Sequence, residues 1–199
     1  MAAPVIYYIR HGETAWNAQG RFQGSQDIPL NDLGRRQAAD AGGILASLFA
    51  RDGRSEASLA FVASPLSRAR ATMELVRGVL KLPTGGYAVD DRLREIGYGR
   101  WEGATLAQMQ ASDPGLFAAR LRDKWTIPPP DGESYVSVQA RVSDWYNQLT
   151  SDTVAVAHGG TARALMVALG VETSDSAADL TIEQGAVYVF GDGGLAKYC

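Results

Sequence analysis

Val5-Ile6-Tyr7-Tyr8-Ile9-Arg10-His11-Gly12 starts as a short apolar run and ends in an arginine, a histidine and a glycine. Residues 5–9 are rich in β-branched and aromatic side chains and too few for a helix, which predicts a buried strand. The second of the chain's two histidines, His158, follows the apolar run 153–157 and opens Gly159-Gly160. In open α/β sheets, ligands bind beyond the carboxyl ends of the strands. We therefore expect both histidines to face one crevice.

The rest of the chain alternates between strand and helix patterns. Strands are predicted at residues 5–9, 59–63, 154–157 and 186–190. Helices are predicted at 31–49, with Asn31 as the cap, and at 161–169. Two more are predicted to begin at Ser64-Pro65, which would supply the cap and the first turn, and at Ser134. This alternation predicts a single domain over residues 1–199, a three-layer α/β/α sandwich with a mainly parallel sheet. Residues 92–132, rich in glycine and proline, are interpreted as a partly helical lid insertion over one end of the sheet.

Composition narrows the class of partner. The chain has 199 residues, a net charge of −3 and 46% hydrophobic residues, which gives no general attraction to nucleic acid or anionic membranes. Anion binding must therefore use a local cluster of cations. The single cysteine, Cys199, cannot form an internal disulfide, and the N-terminal apolar run is too short for a signal peptide or a membrane span. These features favour a cytoplasmic protein.

Two arginines lie at positions in the sequence where they could bind an anion. Arg10 ends a strand beside His11, where a charge near the core needs an anionic partner, so it fits one wall of a phosphate or carboxylate pocket. Arg68 falls in the first turn of its helix, where free amides and the helix dipole already favour an anion. A solvent-facing Arg10 and a surface Arg68 are the alternatives that these segments leave open.

Two further segments could contribute to proton transfer or to ligand binding. In Glu95-Ile96-Gly97-Tyr98-Gly99-Arg100-Trp101-Glu102, partial desolvation would raise a carboxyl pKa toward the range useful for proton transfer. By composition Glu95 and Glu102 are equal candidates, and a solvated glutamate in a structural turn is the alternative. At His158-Gly159-Gly160 the glycines let backbone approach a ligand, and the helix start offers free amides.

Taken in order, these segments resemble the histidine phosphatase superfamily, the phosphoglycerate mutase-like proteins. The resemblance covers residues 5–190. It is carried by Arg10-His11-Gly12-Glu13-Thr14 with Asn17, Arg21-Phe22-Gln23-Gly24, Ser64-Pro65-Leu66 with Arg68-Ala69, Glu95 before Gly97-Tyr98-Gly99, Asp131-Gly132-Glu133-Ser134 and His158-Gly159.

The resemblance implies a set of roles. His11 is expected to be the nucleophile that forms a phosphohistidine, and Glu95 the proton donor, which leaves Glu102 a structural residue. The other catalytic residues implied are Arg10, Arg68 and His158. The substrate phosphate is expected to contact Arg10, His11, Asn17, Gln23, Gly24, Arg68, Glu95, Tyr98, His158 and Gly159. No cofactor is implied, and with arginines neutralising the charge no metal site is expected.

Within this superfamily the sequence favours a phosphatase. Mutases usually carry asparagine where this chain has Gly160, and they have a longer, more basic stretch before the second histidine. The prediction is a histidine acid-type phosphatase that hydrolyses a small phosphorylated metabolite without metal. A cofactor-dependent phosphoglycerate mutase is the main alternative. A non-catalytic phosphate-binding module would lack His11 or Glu95, and both are present. The insertion, with Tyr98, Trp101 and Trp125, is expected to shape the leaving-group pocket, although packing within a lid explains these aromatic positions equally well.

Overall fold

The computed structural model describes residues 3–191 and 194–199, which form one six-stranded sheet with helices on both faces. The strands are β1 (Ile6–Arg10), β2 (Ala60–Ala63), β3 (Ala88–Val89), β4 (Thr153–Ala157), β5 (Val187–Gly191) and β6 (Gly194–Tyr198). The helices are α1 (Ala15–Ala18), α2 (Asp32–Asp52), α3 (Ser67–Val79), α4 (Leu106–Ser112), α5 (Pro114–Arg122), α6 (Tyr135–Asn147), α7 (Gly159–Ala168) and α8 (Ser174–Ala177).

The sheet has the strand order β3-β2-β4-β1-β5-β6. Strands β1, β2, β3 and β4 pair in parallel, whereas β5 pairs antiparallel with β1 and with β6. The prediction of a mainly parallel sheet is confirmed. Strands β3 and β6 were not predicted, since both lie at sheet edges, where exposed and partly exposed side chains give no apolar run.

The two faces of the sheet bury different side chains. In β1, Tyr7 and Ile9 face the layer of α2 and α3, while Ile6 and Tyr8 face the layer of α6 and α7. This alternation is the period of two that a strand imposes. Both sides of β1 are therefore covered, and the three-layer α/β/α sandwich is confirmed.

Two of the observed helix starts agree with the predictions from the sequence, and two differ from them. Asn31 accepts a hydrogen bond from the Gly34 amide at 2.8 Å, and Ser134 caps α6 in the same way. The prediction that Ser64 caps the next helix is wrong, because α3 begins at Ser67 and the Ser64 hydroxyl is bound elsewhere. Helix α7 begins earlier than predicted, at Gly159, because both glycines adopt helical geometry.

Residues 92–132 contain α4, α5 and a 3-10 turn at Gly99–Trp101, so the stretch is partly helical. Trp101 and Met109 insert into the same core that α6 and α7 bury. The single-domain boundary and the lid character of this stretch stay predictions. In the described part of the chain, no helix is long and apolar enough to cross a membrane.

Candidate active site

The register of β1 and β4 brings the two histidines together. Arg10 pairs with Ala157 across the parallel strands, so the next residues, His11 and His158, leave the sheet side by side. The His11 amide donates to the Ala157 carbonyl at 2.9 Å, and the two ring centroids lie 5.1 Å apart. The two histidines are adjacent, as expected, and both side chains are buried, but His11 lines the cavity described next and His158 does not.

A cavity of about 220 Å³ opens over His11, and we call it the histidine pocket. It is lined by Arg10, His11, Asn17, Gly20, Arg21, Phe22, Gln23, Gly24, Glu95, Tyr98, Gly159, Gly160 and Arg163. Eight of the ten residues expected to contact phosphate are in this set. The other two, Arg68 and His158, are fully buried beside His11 and do not line the pocket.

His11 is held as a neutral ring with one free nitrogen. Its Nδ1 lies 2.7 Å from the Gly12 carbonyl oxygen, which can only accept, so Nδ1 carries the proton. Burial and the charges of Arg68 and Arg10 hold the His11 pKa well below its usual value of 6.5. A neutral imidazole protonated at Nδ1 has its lone pair on Nε2.

Arg10 and Arg68 donate hydrogen bonds to backbone carbonyls. Arg10 Nη1 donates to Ile182 at 2.7 Å, and Arg68 donates to Gln26 at 2.6 Å and Gly24 at 3.0 Å. The Nε atoms of both, with His158 Nδ1, are buried and have no hydrogen-bond partner among the described residues. An unpaired buried donor costs about 1–3 kcal/mol, so an anion within reach of these nitrogens would be stabilised.

His158 is fixed on both its backbone and its ring. The Tyr8 hydroxyl donates to the His158 carbonyl at 2.8 Å and lies 3.1 Å from its amide. Ring Nε2 lies 2.7 Å from Ser64 Oγ, which also lies 3.4 Å from the Leu66 amide. Among the described residues, Nε2 is the acceptor within reach of the Ser64 hydroxyl proton, so that proton goes to Nε2 and the ring proton lies on Nδ1. Burial and the Arg68 charge lower the His158 pKa well below 6.5, so this ring is neutral too.

The two candidate glutamates have different surroundings. Glu95 lines the histidine pocket, and its Oε1 accepts from the amides of Ile96 at 3.0 Å and Gly160 at 2.9 Å. A Cβ at Gly160 would lie 2.4 Å from that oxygen and 2.6 Å from Ile96 Cγ2. Only glycine therefore fits at position 160 while Glu95 holds this place.

Glu102 is occupied by the loop that carries Gln23 and Gly24. Its carboxylate accepts from Ser25, from Gln26 at 3.0 Å and from the Tyr98 amide at 3.2 Å. Burial would raise the Glu102 pKa, but these hydrogen bonds outweigh it and hold the pKa below its usual value. Glu102 is outside the lining of the histidine pocket, which agrees with the structural role expected for it.

Sequence reasoning missed Arg163 and Phe22 as lining residues. Arg163 lies one helical turn after Gly159 in α7, and that spacing of four residues was the available signal. A second cavity, the aromatic cavity, adjoins the histidine pocket and has Tyr98 and Trp101 in its wall, as expected. Trp125 was also expected there, but it is stacked on Tyr135 at 4.9 Å in the core and does not line the cavity.

Across residues 3–191 and 194–199, no group of three or more His, Cys, Asp or Glu side chains is arranged to hold a metal ion.

The chain is similar to known proteins over most of its length. The family model described as histidine phosphatase superfamily, branch 1, matches residues 6–193. A glucosyl-3-phosphoglycerate phosphatase of Mycolicibacterium vanbaalenii is 36% identical over 82% of this chain and 73% of its own. A 2,3-bisphosphoglycerate-dependent phosphoglycerate mutase of Beijerinckia indica is 29% identical over 94% and 90%. The solved structure of a mycobacterial glucosyl-3-phosphoglycerate phosphatase with VO3 superimposes with a TM-score of 0.79 at 32% identity, over 94% and 92%.

Proposed function

The chain belongs to the histidine phosphatase superfamily, branch 1, and from that premise we propose that it hydrolyses small phosphomonoesters through a phosphohistidine, without metal. One observation carries the proposal. His11 is neutral, protonated at Nδ1 by its bond to the Gly12 carbonyl, and lies in a pocket that also contains Arg10 and Glu95.

In the first step, His11 Nε2 attacks phosphorus and the bond between phosphorus and the alcohol oxygen breaks. Glu95 gives its proton to that oxygen, and the alcohol leaves. In the second step, Glu95 takes a proton from water, the water oxygen attacks phosphorus, and the bond to Nε2 breaks. Phosphate leaves, and His11 and Glu95 return to their starting forms.

The transferred phosphoryl group carries its charge on three oxygens, so fixed donors supply most of the stabilisation. Arg10 Nε, Arg68 Nε and His158 Nδ1 are buried and lack a hydrogen-bond partner in the described part of the chain. The charges of Arg68 and Arg10 act on His11, and the His158 ring centroid lies 5.1 Å from that of His11. We assign these three nitrogens to the phosphoryl oxygens, with Asn17, Gln23 and the Gly159 amide as further donors at the pocket wall. Because these donors are held by Ile182, Gly24 and Ser64, they need little reorganisation during the reaction.

Hydrolysis is favoured over mutase chemistry by Gly160. Asparagine, the residue mutases usually carry there, does not fit while Glu95 Oε1 lies 2.4 Å from where a Cβ would be. Two of the relatives are phosphatases named for glucosyl-3-phosphoglycerate, a phosphomonoester of a metabolite, which supports the same class of substrate here.

The acid-type assignment is supported by the low pKa of His11. A nucleophilic imidazole must be unprotonated, and the His11 pKa lies well below 6.5 because of burial, Arg68 and Arg10. The enzyme would thus keep its nucleophile in mildly acidic solution. A cytoplasmic location is part of the proposal and rests on the single cysteine of the chain.

The test is turnover of p-nitrophenyl phosphate in EDTA by the wild type and by His11→Ala. We expect metal-independent turnover in the wild type and loss of activity in the variant. A wild type without activity, or a His11→Ala variant with full activity, overturns the proposal. A parallel assay with 3-phosphoglycerate separates the alternatives, since isomerisation faster than phosphate release would identify a mutase.

A further inference from the structure

The His11 tautomer depends on one peptide unit of the loop that follows β1. The Nδ1 proton goes to the Gly12 carbonyl, 2.7 Å away, which leaves the lone pair of Nε2 free for attack. That carbonyl and the Glu13 N–H belong to the same planar unit and point in opposite directions across it. Rotation of the unit would withdraw the acceptor from Nδ1, and the ring would lose its preference for the reactive tautomer. A group that holds the Glu13 amide therefore also holds the nucleophile.

Glycine at position 12 leaves this peptide unit unusually free to rotate. A Cβ at Gly12 would lie 2.1 Å from the Gly34 carbonyl oxygen, so the close crossing of the loop over α2 excludes a side chain there. Glycine lacks the Cβ that restricts backbone dihedral angles, so the unit after it rotates at little steric cost. The residue that this crossing requires is thus the one that restrains the carbonyl least.

The peptide units on either side are held by residues of α3 and of the α2 cap. The Gly12 amide, in the preceding unit, donates to Thr72 Oγ1 at 3.1 Å, and that hydroxyl donates to the Arg68 carbonyl at 2.8 Å. The Glu13 carbonyl, in the following unit, accepts from the Asn31 amide at 2.9 Å. With both neighbours held, the unit between Gly12 and Glu13 keeps one motion, rotation about the axis that joins their Cα atoms.

The Gln37 side chain contacts the amide of this unit. Its Oε1 accepts from the Glu13 amide at 2.8 Å, and because that amide can only donate, the oxygen and not Nε2 must face it. Gln37 lies one turn after Gly34 in α2, which places it on the face that the loop crosses. Gly185 packs against its CH2 groups, since a Cβ at Gly185 would lie 3.4 Å from Gln37 Cγ. Helix position and packing together fix where the acceptor lies.

We propose that Gln37 is a positioning residue for His11: by holding the Glu13 amide, it keeps the Gly12 carbonyl on Nδ1 and the lone pair on Nε2. Gln37 is outside the lining of the histidine pocket, so it acts through the backbone. The inference rests on the proposed phosphatase function. It adds a residue of α2 that sets the chemical state of the nucleophile.

The ring-nitrogen chemical shifts of His11 test the proposal without any substrate. The chain has two histidines, so an isotope-labelled sample shows two pairs of ring nitrogens, and His11→Ala assigns them. At about pH 7.5 both rings are neutral, and in the wild type Nδ1 of His11 should have the shift of a protonated nitrogen and Nε2 that of an unprotonated one. Gln37→Met keeps the length of the side chain but removes the acceptor, and it should bring the two shifts toward each other.

Wild-type shifts in Gln37→Met overturn the inference, and they do so even if the protein turns over no phosphomonoester. Gln37→Glu retains an acceptor oxygen and should keep the wild-type shifts of His11. Loss of those shifts in Gln37→Glu as well would assign the effect to local disruption and also overturn the role. If Gln37→Met does not fold, Gln37→Asn makes the same comparison, because its oxygen falls one methylene short of the Glu13 amide.

Kinetics on p-nitrophenyl phosphate give the second readout. Gln37→Met should reduce kcat by about tenfold, the effect of losing one hydrogen bond. The Kd for inorganic phosphate should change by less than about threefold, because the donors of the histidine pocket are untouched. Gln110→Met makes the same replacement at an exposed position of α4 and should change neither kcat nor the shifts. Altered shifts with wild-type kcat in Gln37→Met would exclude a role of Gln37 in catalysis.

Discussion

Ser64 Oγ lies 2.7 Å from His158 Nε2, although 94 residues separate the two in the chain. The contact arises because β2 and β4 are neighbours. The Ser64 amide donates to the Val156 carbonyl at 2.9 Å, so Ser64 and His158 leave the same edge of the sheet on adjacent strands. Ser64 thereby fixes the His158 tautomer, with the ring proton on the nitrogen that faces no protein partner.

Ser64→Ala should reduce kcat by about tenfold, because loss of one hydrogen bond to a buried group frees the His158 ring to take the other tautomer. The nitrogen chemical shifts of His158 should show the change of tautomer directly. Ser67→Ala is the matched control, since its hydroxyl makes no hydrogen bond among the described residues. Wild-type kcat and unchanged shifts in Ser64→Ala would contradict the positioning role.

Gly160→Ala should lower kcat by at least tenfold, because the added Cβ would lie 2.4 Å from Glu95 Oε1 and push the carboxylate out of place. Steady-state kinetics on p-nitrophenyl phosphate measure the effect. Gly43→Ala, at an open position in α2, is the control and should raise the free energy of unfolding by about 0.5–1 kcal/mol. An active Gly160→Ala enzyme would show that the Glu95 position is not needed for turnover.

Glu95→Gln should reduce kcat by about 10²–10⁴-fold, the usual contribution of a positioned acid and base. Binding should change little, because the glutamine still fits beside Ile96 and Gly160. Inhibition by vanadate reports binding separately from turnover. A variant within threefold of the wild-type kcat would exclude Glu95 as the proton donor.

Acid should destabilise the protein through its two histidines. In the unfolded chain each takes up a proton near pH 6.5, whereas His11 and His158 in the folded protein do so only at much lower pH. The unfolded state then binds more protons, so the free energy of unfolding falls as the pH drops below about 6.5. Each unit of lowered pKa contributes about 1.4 kcal/mol once the pH is below both values.

Urea unfolding at about pH 7.5 and about pH 5 measures this loss, and His11→Asn should lose less between the two values than the wild type. The same depressed pKa sets the acid limb of kcat/KM well below pH 6.5. Equal pH dependence of stability in the two proteins would show that His11 is not the titrating group.

The sequence by itself determined the fold class and eight of the residues that line the histidine pocket. Apolar runs ending at His11 and His158 were enough to predict parallel strands with both rings at one edge, because side-chain periodicity and strand ends are local properties. The family motifs then brought Asn17, Gln23, Glu95 and Tyr98 to the same place. All four line the histidine pocket.

Only the tertiary structure decided what depends on contacts between distant segments. It decided the partners of the two glutamates, because the Glu95 carboxylate meets the start of α7 and the Glu102 carboxylate meets the loop at Ser25. It showed that Ser64 contacts His158 and does not cap a helix, and that Arg163 lines the histidine pocket. Hydrogen-bond partners and buried charge are set by which strands and helices become neighbours, and spacing along the chain does not contain that information.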